Sequence, residues 1–210
     1  MLRVIFDLDG TLANTRAPIA ASINRVRREL YGLSPLCELQ IMQILDGAEG
    51  EIAAALYGTR GYEPEAQALF EEDYARRCVE EAVLFEGVEA MLARLKEAGA
   101  RLFIATNAPT HTSRLILRRC GIEAYFDDIA GADRVRRPKP DPEMLRLHLK
   151  DSSDAAAWMV GDSRKDMAAA AAAGVRGIFA GWGYGRALEE SAYHIEANDP
   201  AEVVSAILGN

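Results

Sequence analysis

Apolar positions follow two rhythms along this chain. Leu2 to Phe6 is a short apolar run broken only by Arg3, and it stops at Asp7-Leu8-Asp9-Gly10-Thr11. A short apolar run closed by acidic residues and glycine reads as a buried strand running into a loop. Leu102 to Thr106, Ile129 to Gly131, Ala157 to Val160 and Val175 to Ala180 have the same form. Helical spacing lies between them: Val88, Met91, Leu92, Leu95 and Ala98 precede Gly99, and the alanine-rich run Met167 to Ala173 ends at Gly174. Strand alternating with helix predicts right-handed crossovers and a three-layer α/β fold around a Rossmann-like parallel sheet.

The alternation fails between residues 16 and 82. Ile19 to Leu30, Glu38 to Leu45, Glu51 to Tyr57 and Glu65 to Ala82 all read as helices, with glycine or proline between them. The pattern predicts a core domain of residues 1–15 and 83–210, with an all-helical domain of residues 16–82 inserted after the first strand. Asp46 to Gly50 reads as a loop between two helices of the insert.

Charge narrows the partners. Of the 210 residues 27% are charged, and the net charge is -8. A broad nucleic-acid or anionic-membrane surface needs an excess of Lys and Arg, so both are excluded as partners, while small anions stay open. Cys37, Cys78 and Cys120 are scattered without metal-ligand spacing and read as buried thiols of a reducing compartment. With neither a leader-like start nor a membrane-length apolar run, the expected location is cytoplasmic.

In open α/β sheets ligands bind beyond the carboxyl ends of the strands. The first strand places Asp7 and Asp9 there, the second Thr106 and Asn107, and the fourth Asp162 with Asp166 four residues on; a loop before a helix adds Lys139. Four carboxylates on one edge repel one another unless a cation sits between them. Mg²⁺ is the natural candidate, because it prefers hard oxygen ligands and substrate phosphates. Asp7 and Asp162 would supply carboxylates, and a backbone carbonyl near Asp9 would add a third ligand.

Four segments carry a family resemblance: Asp7-Leu8-Asp9-Gly10-Thr11, Thr106-Asn107, Lys139 within Arg137-Pro138-Lys139-Pro140-Asp141-Pro142, and Gly161-Asp162-Ser163-Arg164-Lys165-Asp166. In that order and spacing they resemble the haloacid dehalogenase-like hydrolases over nearly the full chain. The helical insert looks like that family's cap domain. Gly181-Trp182-Gly183-Tyr184-Gly185 resembles a segment of its phosphoglycolate-phosphatase-like members, and reads as a turn whose aromatics pack at the core edge. Asn14 stands where many family phosphatases carry an acid.

The resemblance implies a Mg²⁺-dependent phosphatase acting on a small phosphorylated metabolite, phosphoglycolate first, through an aspartyl-phosphate. It makes Asp7 the nucleophile and a metal ligand, Asp9 the general acid/base, and Asp162 a metal ligand. Thr106, Asn107 and Lys139 would hold the phosphate, and Asp166 would support Lys139 or a metal-bound water. Asp9 favours phosphate chemistry over dehalogenation, because an alkoxide leaving group needs a proton and a halide does not. A sugar phosphomutase and a nucleotide or pyrophosphate hydrolase are the alternatives within the family; an idle binding module is the alternative outside enzymes. The expected state is a monomer or homodimer.

Overall fold

The computed structural model of the chain describes residues 1–47, 49–149, 156–185 and 195–209. They divide into two compact units, Met1–Asn14 with Val83–Asn210, and Thr15–Ala82.

The first unit is built on a six-stranded sheet. Its strands are β1 (Arg3–Phe6), β4 (Arg101–Ala105), β5 (Asp128–Ala130), β6 (Ala157–Gly161), β7 (Arg176–Ala180) and β8 (Ile195–Ala197). They lie in the order β5-β4-β1-β6-β7-β8, every pair parallel. Parallel neighbours need crossovers, and these put helices on both faces of the sheet. That is the α/β architecture the alternating pattern predicts. The chain runs outward from β1 through β4 to β5 and then returns once, to place β6, β7 and β8 on the other side of β1, so the carboxyl end of β1 lies at a switch point where side chains from β4 and β6 can converge.

Alternation along the strands divides the core. Ile5, Phe103, Ala105 and Met159 share one face with Met144 and Leu145 of α7 (Glu143–Leu149) and Ala169 and Ala170 of α8 (Arg164–Ala173). Val4, Phe6, Leu102, Ile104 and Val160, the residues between, are fully buried on the other face. Both faces are covered, which is why these strands are nearly continuous apolar runs. α5 (Val88–Glu97), α6 (Thr110–Arg119) and α9 (Pro200–Leu208) complete this unit.

Three short strands lie outside the sequence expectation. β8 has three residues, one of them Glu196, and β2 (Ala13–Asn14) with β3 (Val83–Leu84) forms an antiparallel ribbon of two residues a side. Segments this short carry no readable periodicity.

The second unit holds α1 (Arg16–Tyr31), α2 (Glu38–Leu45), α3 (Glu49–Tyr57) and α4 (Pro64–Glu81). Its core includes Ile19, Ile23, Val26, Ile41, Ile52, Leu56 and Tyr74. Buried Asp73 receives Arg25 at 3.0 Å, Arg76 at 2.6 Å and Arg77 at 2.6 Å. Burial pulls the Asp73 carboxyl upward, but hydrogen bonds from Arg77, Arg76, Arg25 and Ser22 together hold it well below the usual carboxylate range. α3 begins at Glu49, so Glu49 and Gly50 are helical where the sequence suggested loop; an acid such as Glu51 in the first turn favours helix there. Ala48 of that expected loop lies outside the described residues. Cys78 alone is fully buried among the cysteines; Cys120 is partly buried and Cys37 is exposed, because it stands at the N-terminal cap of α2 rather than inside it.

Candidate active site

The strand ends of the sheet bring the acidic residues together. Asp7 directly follows β1, and its amide donates to the Val160 carbonyl of β6 at 2.9 Å. The chain then turns tightly. The amides of Leu12 and Ala13 both donate to the Leu8 carbonyl at 3.0 Å, and the Gly10 amide donates to the Ala13 carbonyl at 2.9 Å. Asp9, half-buried, lies in this turn and bridges to Ala13. Gly10 has φ +89°, and a Cβ there would stand 2.2 Å from Asp162 Oδ2. Only glycine satisfies both the left-handed backbone and the close approach.

β4 delivers Thr106 and Asn107. Thr106 is buried, and its hydroxyl accepts from the Ala108 amide at 3.2 Å. The Asn107 side chain makes a reciprocal pair with the main chain of Lys139: Nδ2 donates to the Lys139 carbonyl at 2.9 Å, and Oδ1 accepts the Lys139 amide at 3.0 Å. The Asn107 carboxamide therefore fixes the backbone that carries Lys139. The Lys139 ammonium is 3% exposed, and it donates to Asp7 Oδ1 at 2.7 Å and Asp166 Oδ1 at 2.6 Å.

β6 and α8 supply the other two acids. Asp166 is in the first turn of α8, where its Oδ2 accepts from the Ser163 amide at 3.0 Å and the Ser163 hydroxyl at 2.6 Å. One oxygen of Asp166 thus closes the helix cap while the other holds Lys139. Asp162 Oδ1 accepts from the Thr11 hydroxyl at 3.2 Å, and Oδ2 accepts from the Tyr184 amide at 2.7 Å.

Asp7, Asp162 and Asp166 each place a carboxylate oxygen within 4.8 Å of the other two. Burial, with the nearby Asp166 and Asp162 charges, raises the Asp7 carboxyl well above its ordinary value even though Lys139 pulls it down. Burial first and Asp166 second push Asp162 up to about 7. Burial alone would lower Lys139, but the Asp166 and Asp7 charges outweigh it and raise its ammonium above the usual lysine value. Three carboxylates against one ammonium leave the cluster short of positive charge. All the donors are hard oxygens, so the cluster fits a small divalent cation such as Mg²⁺.

Of the residues read from sequence, Asp7, Lys139, Asp162 and Asp166 meet directly or across the 4.8 Å cluster, and Thr106 and Asn107 lie at the neighbouring strand end. The Asp9 carboxylate is outside the three-acid group; the ligand expected near it is a main-chain carbonyl. Sequence reasoning did not single out Thr11 and Tyr184 as partners of Asp162. Alternate glycines at 181, 183 and 185 directly after a strand were the available signal, since such spacing permits close approach of backbone to a neighbour.

Comparison with known proteins follows the same lines. The family model described as haloacid dehalogenase-like hydrolase matches residues 4–180. The chain is 34% identical over 179 residues to phosphoglycolate phosphatase of Cereibacter sphaeroides, covering 82% of each protein. It is 36% identical over 186 residues to tyrosine-protein kinase PtkA of Mycobacterium tuberculosis; this covers 88% of the chain but only 63% of the length of that relative. The crystal structure of CbbY from Rhodobacter sphaeroides in complex with phosphate superposes with a TM-score of 0.80 at 27% identity, covering 97% of this chain and 96% of that one.

Proposed function

Since the chain belongs to the haloacid dehalogenase-like hydrolases, we propose that it hydrolyses a phosphate monoester of a small metabolite through an aspartyl-phosphate on Asp7. The observation that carries this reading is the buried Lys139 ammonium held 2.7 Å from Asp7 and 2.6 Å from Asp166. A carboxylate nucleophile beside a fixed cation suits attack on an anionic phosphorus centre. Phosphoglycolate is the first substrate to test, because the relative from Cereibacter sphaeroides is named as its phosphatase.

Asp7 attacks phosphorus, and the bond from phosphorus to the ester oxygen breaks. Asp9 gives its proton to the departing oxygen, so the alcohol leaves neutral. Asp9, now ionised, takes a proton from water as that water attacks the phosphorus of the acyl-phosphate; inorganic phosphate leaves and Asp7 is restored. Lys139 neutralises a phosphoryl oxygen, and Asp166 and Asn107 hold it in place. The Thr106 hydroxyl and the main-chain amide of Asn107 face the same task, since the Asn107 carboxamide is committed to Lys139. Mg²⁺, when bound by Asp7, Asp162 and the main chain near Asp9, would lower the repulsion between the carboxylate nucleophile and the phosphate.

Phosphate release from a metabolite panel, with Mg²⁺ and with EDTA, tests the reading, with Asp7→Asn as control. Release should need the metal and vanish in Asp7→Asn while its circular dichroism stays native. Wild-type turnover in Asp7→Asn would refute the nucleophile. A second reading, transfer of the phosphoryl group to an acceptor hydroxyl, is favoured by the identity with a relative named as a kinase. Free phosphate in equal amount to substrate consumed excludes it as the main activity.

A further inference from the structure

The segment Gly181-Trp182-Gly183-Tyr184-Gly185 does more than turn the chain after β7. The Tyr184 amide donates to Asp162 Oδ2 at 2.7 Å, the shortest hydrogen bond described for that carboxylate. The Tyr184 hydroxyl lies 3.1 Å from Asn14 Oδ1 and 3.4 Å from the Ala13 carbonyl, and its ring centre is 6.2 Å from that of Phe85. Asn14 belongs to the β2–β3 ribbon and Phe85 directly follows it, so one residue spans from that ribbon to Asp162. Trp182 adds a second tie, its Nε1–H donating to the Thr11 carbonyl at 2.9 Å. Thr11 itself donates to the other oxygen of Asp162 at 3.2 Å.

The segment also approaches too closely to tolerate side chains at its glycines. A Cβ on Gly183 would stand 2.2 Å from Asp162 Cβ and 2.5 Å from the Gly10 carbonyl. A Cβ on Gly185 would stand 1.8 Å from the Asp162 carbonyl. Both oxygens of Asp162 are therefore oriented by groups this segment either supplies, through Tyr184, or anchors, through Trp182 and Thr11.

We propose that the 181–185 segment is a positioning element for the metal site: Trp182, Gly183 and Tyr184 set the orientation of Asp162 and so its affinity for a divalent cation. The inference rests on the reading of Asp162 as a metal ligand. Partners that orient a ligating carboxylate affect metal affinity without touching the metal. Holding the segment through the side chains of Trp182 and Tyr184, rather than by backbone pairing alone, also ties the ribbon strand β2 to the same carboxylate.

Isothermal titration of the full chain with Mg²⁺, without substrate, tests the proposal. Gly183→Ala should weaken Mg²⁺ binding by about tenfold or more, and the Mg²⁺ concentration for half-maximal p-nitrophenyl phosphate turnover should rise by the same factor, with turnover recovering at saturating metal. Trp182→Phe, which keeps an aromatic ring but loses the indole N–H bond and part of the ring volume, should weaken binding by about threefold and serves where Gly183→Ala fails to fold. Mg²⁺ binding at wild-type strength in either folded variant overturns the proposal. Failure of the wild-type chain to bind Mg²⁺ overturns instead the metal reading on which it rests, so the two failures are distinct.

Discussion

Replacing Lys139 with Met keeps the stem of the side chain and removes the ammonium from between two carboxylates. At 2.7 Å and 2.6 Å, each ion pair is worth about 6 kcal/mol gross at an effective dielectric constant of about 20. Desolvation of the ammonium opposes this, and removing one partner of a buried pair costs about 3–5 kcal/mol net. The loss has a ceiling, because a stranded carboxylate can take up a proton. Neutralising one carboxyl costs about 1.4 kcal/mol for each pH unit above its ordinary value, so about 4 kcal/mol at pH 7 and about 1.5 kcal/mol at pH 5. The sign follows from linkage. Lys139 lowers the Asp7 and Asp162 carboxyls in the wild type, so their folded values rise further in the variant. A carboxyl raised in the folded state contributes stability below its unfolded value that is lost as pH rises toward the folded one. Urea denaturation in EDTA should therefore show Lys139→Met losing more stability at pH 7 than at pH 5. Turnover of p-nitrophenyl phosphate should fall about a thousandfold, or about 4 kcal/mol of transition-state stabilisation. A loss independent of pH, or turnover within tenfold of wild type, would refute the placement of the ammonium between the acids.

Asn107→Ala removes both hydrogen bonds to the Lys139 main chain; kcat/KM should fall about tenfold from misplacement of the ammonium, and unchanged kinetics would show that Lys139 is held by other means. Gly10→Ala forces a Cβ onto Asp162 Oδ2 from a residue at φ +89°; turnover should fall about a hundredfold, which steady-state assay on a chain of native circular dichroism would check. Asp73→Asn removes the charge at the centre of three arginines; because those arginines keep contact with water, the expected loss is only about 1–2 kcal/mol. That loss should be seen as faster amide exchange in α1 and α4. The Asp73 carboxyl is depressed in the folded chain, so its contribution is present above pH about 4 and is lost as pH falls below that value.

The sheet was legible because its strands are buried on both faces. Val4 to Phe6 and Leu102 to Ala105 are continuous apolar runs for that reason, and each ends where chemistry begins. The acids at those ends could be read the same way, since a cluster such as Asp7 and Asp9 after a buried strand has no packing purpose. What periodicity could not supply was the pairing between distant segments. Asn107 lies 32 positions from Lys139, and its carboxamide spends both functions on that residue's backbone. No local pattern distinguishes such an asparagine from one that faces a ligand. β2 and β3, two residues each, were equally invisible, because their pairing joins two short segments far apart in sequence rather than following from an amphipathic face.

The same contrast explains how a chain of net charge -8 could handle an anionic substrate. Its positive charge is local, and Lys139 meets two of the three clustered acids directly. Each contact also constrains the others: Asp166 fixes the ammonium while Ser163 fixes Asp166, and the Asn107 carboxamide fixes the lysine backbone. A flexible lysine paired to a single acid would follow that acid wherever it moved. Held from three sides, the ammonium instead defines a point in space near Asp7 before any substrate arrives, so little of the binding energy of a phosphate need go into ordering it. Loss of any one support should then cost turnover more than stability, and loss of the ammonium itself should cost both.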